Sequence, residues 1–304
     1  MLIEPRRIKL TTRTGVEVNR TLPHAKLKMI GAWCFVDHFG PTMQTDAMVV
    51  AAHPHVGLQT VTWLFEGEVE HRDSIGSIQK IRPGQLNVMT AGRGIVHSEL
   101  SMRESTDGEI ANLHAVQLWV ALPKAAIDIA PEFEHQADLP KLQLAEGVTA
   151  TVLVGEFGHV RAVTKTFSPL LGVELRIKAG HSVEIDLNQG FEHGFMLAEG
   201  QIAINGANLP VSGLEYLEIG AKTAKIQAFD QDSVVLLLGG EPFGEKILMW
   251  WNFIGRSHQD IVEARNQWND HRNQRAGARF GQFADNIGGW IPAPELPTVT
   301  LHPR

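Results

Sequence analysis

The chain has 304 residues, 43% hydrophobic and 20% charged, a composition typical of a globular protein with a large core. The formal net charge of −7 argues against direct binding to nucleic acid, and no apolar run is long enough to predict a membrane helix. The single cysteine, Cys34, and the lack of an apolar stretch near the N-terminus predict a cytoplasmic location.

Most of the chain alternates between short runs rich in β-branched and aromatic residues and clusters of Gly, Pro, Asp and Asn. This spacing is typical of an all-β sandwich or barrel. The clearest predicted strands are residues 59–65, 85–89, 115–122, 149–154, 183–187 and 233–238.

One helix is predicted near the C-terminus, over residues 257–273. Ser257 can cap this helix, with Asp260 three residues later as its partner in a capping box. Apolar residues then follow at helical spacing from Ile261 to Trp268. We expect this helix to pack on the outside of the β-structure.

A faint internal repeat divides the chain. Residues 63–69, WLFEGEV, resemble residues 196–202, MLAEGQI, 133 positions later. Two copies of one β-barrel unit would explain the similarity, with a boundary between residues 135 and 148. We therefore expect an N-terminal domain over residues 1–140 and a C-terminal domain over residues 141–304.

Two pairs of potential metal ligands carry the clearest chemical signal. His53 and His55 form one pair and His97 and Glu99 the other, each at i and i+2 in a predicted strand. Residues two apart in a strand point to the same face, so two adjacent strands would converge three imidazoles and one carboxylate. Such a donor set suits iron, manganese, nickel, copper or zinc. Pro54 predicts that the first pair begins a strand or lies on a sheet edge.

A strand that continues through His55 would direct Gln59, Trp63 and Phe65 to the face of the histidines. We expect Gln59 to orient a ligand or a metal-bound water, and Trp63, Phe65 and Val56 to line an apolar mouth. The second copy of the repeat has no histidine at the equivalent positions, so only the first is expected to hold a metal. The other histidines are interpreted as surface or hydrogen-bonded residues: His71, His114, His135, His159, His181, His193 and His258.

These residues resemble the pirin family, a branch of the cupin superfamily. The most specific segment is TAGRGIVHSE, and the resemblance covers nearly the whole chain, with matching segments at residues 37–41, 53–55, 64–74, 90–99, 118–120 and 249–256. It implies a bicupin of two face-to-face β-barrels of the double-stranded β-helix or jelly-roll type. It also implies one metal, usually iron, in the N-terminal barrel and none in the C-terminal barrel.

By the resemblance, His53, His55, His97 and Glu99 map onto the metal ligands of the family. Two neighbouring positions depart from its pattern. Val56 stands where pirins commonly carry Arg, and Gln59 stands where they commonly carry Glu. The metal ligands are unaffected by these departures, but the substrate specificity of the family cannot be carried over directly.

The resemblance implies two alternative classes of function. One is a mononuclear non-haem dioxygenase of the quercetin 2,3-dioxygenase type, which uses O2 on a flavonol or another small aromatic substrate. Glu99 would then act both as metal ligand and as the base that takes the hydroxyl proton. The other is a non-catalytic metal- or redox-sensing regulator that binds transcription factors or metabolic enzymes. The acidic net charge fits a protein partner better than DNA. A third alternative is a metal-stabilised protein that acts on a different small molecule.

Overall fold

The computed structural model describes residues 1–10, 17–43, 48–101, 112–271, 279–283 and 289–304. Within these ranges the secondary structure is β-strand, with one α-helix and one short 3-10 helix (Lys124–Ala126). The strands of the first half are β1 (Leu2–Ile3), β2 (Arg6–Lys9), β3 (Glu17–Leu22), β4 (Trp33–Met43), β5 (Val49–His55), β6 (Leu58–Glu66), β7 (Val69–Asp73), β8 (Ile78–Ile81), β9 (Leu86–Thr90), β10 (Ile95–Ser101), β11 (Asn112–Ala121) and β12 (Glu132–Gln136).

The second half continues in the same manner and ends with the helix. Its elements are β13 (Lys141–Ala145), β14 (Val148–Val154), β15 (Glu156–Phe157), β16 (Val160–Arg161), β17 (Leu170–Ile177), β18 (Ser182–Asp186), β19 (Glu192–Glu199), β20 (Ile202–Ile204), β21 (Ala207–Leu209), β22 (Leu214–Leu217), β23 (Thr223–Ala228), β24 (Ser233–Gly240), β25 (Leu248–Trp250), β26 (Phe253–Gly255) and α1 (His258–His271). The six predicted strands are confirmed as β6, β9, β11, β14, β18 and β24.

One compact unit contains residues 1–8, 18–38 and 136–243. In this unit one sheet has the strand order β1-β22-β19-β24-β17-β14-β13, and a second has the order β18-β23-β20-β21. Strand β23 shows why these sheets enclose a core, because alternate residues from Ala224 to Ala228 are buried while their neighbours are exposed.

A second compact unit contains residues 9–17, 39–135 and 244–304. Four of its strands follow the order β12-β9-β6-β11 within one sheet, and another sheet has the order β5-β10-β7-β8. The second of these sheets carries both predicted pairs of metal ligands, since β5 contains the first pair and β10 the second.

The two units are interleaved along the chain. The domains 1–140 and 141–304 stay a prediction. The N-terminal strand β1 pairs with β22, with Leu2 opposite Glu215. The C-terminal segment pairs with β5 and the residue that follows it, through bridges from Trp290 to Ala52 and from Phe253 to Val56. The internal repeat locates the central strands of each unit but contains no signal for these terminal segments.

The predicted helix and its capping box are confirmed. The backbone N–H of Ser257 donates to a carboxylate oxygen of Asp260 (3.0 Å), and the backbone N–H of Asp260 donates to Oγ of Ser257 (3.2 Å). Ile261, Ala264 and Trp268 lie on the buried face of the helix. In the described part of the chain, no helix is long and apolar enough to cross a membrane.

The helix packs into a cluster of apolar and aromatic side chains that we call the C-terminal aromatic cluster. Trp268 stacks on Trp290 at a centroid distance of 4.5 Å and meets Phe280 edge-on at 5.5 Å. Ala52 and Val56 belong to the same cluster. The C-terminal segment therefore covers one side of the strand that carries the first histidine pair.

Candidate metal centre

The two predicted ligand pairs lie on neighbouring antiparallel strands. Strand β10 pairs with β5, so that His97 lies opposite His53 and Ile95 lies opposite His55. The register shifts after His97, because Glu99 lies opposite Val50. Strand β5 is at the edge of its sheet, which confirms the edge position that Pro54 predicts, although the pair ends the strand.

Three imidazoles converge on one point. The ring centroids of His53, His55 and His97 are separated by 4.3 to 5.0 Å, and one nitrogen of each ring lies within 4.8 Å of the others. Their exposed fractions are 7%, 1% and 0%. Such a buried triad could hold a metal ion.

The hydrogen bonds of the three rings leave nitrogen lone pairs available. His53 donates from Nδ1 to the backbone carbonyl of Ala51 (2.8 Å), which leaves its Nε2 unprotonated in the neutral ring. Among the described residues, Nδ1 of His55 and Nε2 of His97 are buried without a hydrogen-bond partner. Because buried polar atoms are nearly always paired, unpartnered nitrogens on rings that converge fit a metal ion.

Burial keeps these imidazoles neutral, which is the form that binds metals. Desolvation lowers the pKa of His53 to about 4, against a weaker opposing effect of the Ala51 carbonyl. Desolvation, together with the neighbouring imidazoles, holds the pKa values of His55 and His97 well below their usual range. At neutral pH a metal ion therefore meets three neutral rings, each with one nitrogen lone pair, and does not have to displace a proton.

Glu99 lies on the same strand as His97 but belongs to a different group of ligand atoms. His71, His97 and Glu99 form a second set whose ligand atoms lie within 4.8 Å of one another. Gln117 donates from Nε2 to Oε1 of Glu99 at 3.4 Å. Burial raises the pKa of the Glu99 carboxyl, although the nearby His71 and Gln117 act in the opposite direction. The role of Glu99 as fourth ligand stays a prediction.

Sequence reasoning missed His71 and Asp73, which belong to the same face. Strand β7 pairs with β10, with His71 opposite Glu99 and Asp73 opposite His97. Both residues are buried, and His71 Nε2 lies 3.0 Å from Asp73 Oδ2. The interpretation of His71 as hydrogen-bonded is thus confirmed, but its place beside the ligands was not foreseen. The signal was available, because His71 and Asp73 repeat the i, i+2 spacing of the two ligand pairs.

Strand β11 contributes two further residues that the sequence did not single out. The indole of Trp119 meets the ring of His55 edge-on at a centroid distance of 5.1 Å. Gln117, two residues earlier, contacts Glu99 and accepts a hydrogen bond from Thr62 Oγ1 (2.8 Å). Both face the histidines because residues two apart in a strand share a face.

Val56 is 3% exposed and lies in the C-terminal aromatic cluster, and its role in lining an apolar mouth stays a prediction. The prediction of one strand that continues through His55 to Gln59 is wrong. The chain turns at Gly57, which has a φ of +73°, so β5 and β6 are separate strands. A Cβ at this glycine would lie 2.3 Å from the carbonyl oxygen of Ile254.

The other predicted pocket residues are buried in β6. Gln59 is 1% exposed and donates from Nε2 to Oγ1 of Thr90 (2.9 Å). Trp63 is also 1% exposed, and Phe65 lies against the ring of His114 at a centroid distance of 4.7 Å. A role of Gln59 and Trp63 toward a metal or substrate stays a prediction.

The interpretation of the remaining histidines fails at one position. His135 is hydrogen-bonded, with Nδ1 2.7 Å from Oδ1 of Asn87. His193 is fully buried, and neither of its ring nitrogens has a partner among the residues that the structure describes. Desolvation lowers the pKa of His193 to about 4.

Comparisons with known proteins agree with this fold. The family model described as Pirin matches residues 15–120, and the one described as the Pirin C-terminal cupin domain matches residues 172–274. A Pseudomonas aeruginosa protein, named provisionally as a quercetin 2,3-dioxygenase, is 42% identical over 285 residues, which cover 93% of this chain and 87% of that protein. A pirin-like protein of Caulobacter vibrioides is 34% identical, with coverage of 92% and 94%.

Solved structures of similar proteins have the same fold. The crystal structure of quercetin 2,3-dioxygenase from Acinetobacter baumannii has a TM-score of 0.89 and 40% identity, covering 98% of this chain and 96% of that chain. A bacterial pirin of Escherichia coli, solved in complex with nickel(II), has a TM-score of 0.59 and 20% identity, with coverage of 80% and 99%. The architecture of this chain is therefore a bicupin with one C-terminal helix.

Proposed function

This chain belongs to the pirin family, and we propose that it is a mononuclear non-haem metal dioxygenase that opens a flavonol or a similar aromatic compound with O2. One observation carries the proposal: three buried, neutral imidazoles converge, and two of their nitrogens lack a partner among the described residues. The names of the 42% and 40% identical relatives support the choice of a quercetin 2,3-dioxygenase reaction.

His53, His55 and His97 would hold the metal, and Glu99 would supply the fourth ligand. We favour Fe(II), and nickel, manganese, copper or zinc also suit a set of three nitrogens and one oxygen. When bound, the metal supplies Lewis acidity toward the oxygen atoms of the substrate and electronic coupling to O2. Side chains of this chain would supply the base, hold it in place and bind the aromatic substrate.

Glu99 is the base in this proposal. Burial raises the pKa of its carboxyl, so the carboxylate is a stronger base than an exposed one and can accept the 3-hydroxyl proton of a flavonol. Gln117, held by Thr62, donates to Oε1 of Glu99 and fixes the orientation of the carboxylate. Trp119, edge-on to His55, gives the site an apolar wall suited to a flat aromatic substrate.

The reaction would break the C2–C3 and C3–C4 bonds of the flavonol and place one oxygen atom of O2 on C2 and the other on C4. C3 would leave with its own oxygen as carbon monoxide, and the remainder would be an ester that carries a carboxyl group. We place the reaction in the cytoplasm, because a single cysteine cannot form a disulfide within the chain, which agrees with a reducing compartment. The negative net charge disfavours binding to nucleic acid.

The test loads the protein anaerobically with Fe(II) and then supplies O2 and quercetin. O2 consumption and carbon monoxide release are followed together, and a flavone without the 3-hydroxyl group serves as the control substrate. We expect equal amounts of O2 consumed and carbon monoxide released with quercetin, and neither with the flavone. Stoichiometric metal without O2 uptake for any flavonol would contradict the proposal and favour the metal-sensing regulatory protein.

A further inference from the structure

A chain of hydrogen bonds leads from β7 to the candidate metal centre. Oδ1 of Asp73 accepts from the backbone N–H groups of Ile75 (3.0 Å) and Ser77 (2.9 Å), and Oδ2 lies 3.0 Å from Nε2 of His71. On the other side of the same ring, Nδ1 of His71 lies 3.4 Å from Nδ1 of His97. We call Asp73 and His71 the β7 relay.

The ionised state of Asp73 determines which atom donates in the hydrogen bonds from Asp73 to His71 and from His71 to His97. Burial raises the pKa of Asp73, but hydrogen bonds from His71 and Ser77 outweigh this effect and hold the pKa below its ordinary value. An ionised carboxylate can only accept, so the proton between Asp73 and His71 belongs to Nε2 of His71. A neutral His71 ring then has its lone pair on Nδ1 and accepts from Nδ1–H of His97.

The last hydrogen bond of this series orients the ring of His97 at the candidate metal centre. When Nδ1 of a neutral His97 carries the proton, its lone pair is on Nε2. That nitrogen is buried without a partner in the described part of the molecule. The β7 relay therefore aims the lone pair of His97 at the point where the three rings converge, as carboxylate–histidine pairs do in other metal sites.

His53 reaches the Nδ1–H tautomer through a different kind of partner. His53 donates from Nδ1 to the backbone carbonyl of Ala51, a group that no substitution removes. His97 depends on side chains, and the ring of His71 is itself held in place by stacking on Phe133 (4.5 Å between centroids, 15° between planes). The orientation of His97 can therefore be changed by a single substitution.

We propose that His71 and Asp73 are positioning residues that hold His97 in its Nδ1–H tautomer, so that Nε2 is the atom that binds the metal. This positioning role rests on the metal site of the proposed function, but it requires neither the proposed substrate nor turnover. The competing assignment is that His71 is itself a ligand, since His71, His97 and Glu99 also lie within 4.8 Å of one another.

The first test needs no variant. In the metal-free protein with ¹⁵N-labelled histidine rings, two-bond and three-bond ¹⁵N–¹H correlations report which nitrogen of each neutral ring carries the proton. We expect Nε2–H for His71 and Nδ1–H for His97, with assignment through loss of the peaks in His71→Gln and His97→Gln. Nε2–H at His97 would overturn the proposal.

The second test compares variants of His71 by the same spectra and by Zn²⁺ affinity, measured in competition with a chromophoric chelator. His71→Phe keeps the stacking on Phe133 but removes the acceptor for His97. His71→Gln keeps an amide oxygen that can accept from His97 and an amide N–H that can donate to Asp73. The matched control is His135→Phe, which removes a different hydrogen-bonded imidazole of the same unit.

We expect His71→Phe to lose the Nδ1–H signature of His97 and to bind Zn²⁺ about 10- to 100-fold more weakly. His71→Gln should restore both properties, and His135→Phe should change neither. If Zn²⁺ affinity falls in His71→Phe while His97 keeps Nδ1–H, then His71 is a ligand and the positioning role is refuted. Unchanged affinity and tautomer in His71→Phe would also refute it. None of these results depends on whether flavonols are substrates.

Discussion

Glu99→Gln is the substitution that separates the two roles proposed for this residue. An amide is almost the same size as a carboxylate, and its oxygen can still accept the hydrogen bond from Gln117 Nε2. Because burial already disfavours the ionised form of Glu99, removal of the charge should not destabilise the fold. Under the proposed function, three imidazoles would remain to hold the metal.

The size of the effect follows from the loss of the base. A positioned general base contributes about 10²- to 10⁴-fold to the rate, or about 3 to 5 kcal/mol of barrier. We expect turnover per bound metal to fall by that factor, while metal content falls much less. In the wild type, kcat/KM should decline in acid with a pKa above the ordinary 4.5 of a glutamic acid, because the carboxylate is lost by protonation.

The assay measures O2 uptake with quercetin and the bound metal on the same samples. Glu70→Gln is the matched control, because Glu70 lies on β7 with a side chain on the opposite face, bonded to Arg72 (2.8 Å). That variant should retain wild-type turnover. Equal losses of metal and turnover in Glu99→Gln would refute the role of base and leave Glu99 as a ligand alone.

Three further predictions follow from the geometry. His97→Ala should sharply reduce metal content by mass spectrometry, because it removes one imidazole of the triad, whereas His135→Ala should not. Val56→Arg should lower the free energy of unfolding in urea by at least about 3 kcal/mol, because it buries an unpaired charge in the C-terminal aromatic cluster; an unchanged midpoint would place the side chain at an open surface. The pKa of His193 falls from 6.5 in the unfolded chain to about 4 in the fold, so its protonation favours the unfolded state. The metal-free wild type should therefore lose about 3 kcal/mol of stability from this group as the pH falls from 7 to 4, and His193→Leu should lack that loss. Parallel pH profiles for the two proteins would contradict this assignment.

Much of the fold was predictable because it depends on local patterns. Alternation of apolar and polar residues located strands such as β18, and the Ser257–Asp260 pair located the start of the helix. The convergence of His53, His55 and His97 was also predictable, since the i, i+2 spacing fixes a common face and only the pairing of two strands had to be assumed.

The rest of the site depends on contacts between distant segments. The place of His71 beside His97 follows from the pairing of β7 with β10, and the sequence does not specify which strand is the neighbour of β10. The register shift that sets Glu99 opposite Val50 is equally invisible in the sequence. Nothing in the sequence shows that Phe253, almost 200 residues later, pairs with Val56.

Anomalous diffraction from crystals of the protein, purified without chelators or an affinity tag, tests the central claim most directly. Data collected on both sides of the absorption edges of iron and nickel identify the metal and locate it. The account predicts one peak about 2 Å from a nitrogen of each of His53, His55 and His97. A peak held instead by His71, His97 and Glu99, or no peak after reconstitution with metal, would contradict it.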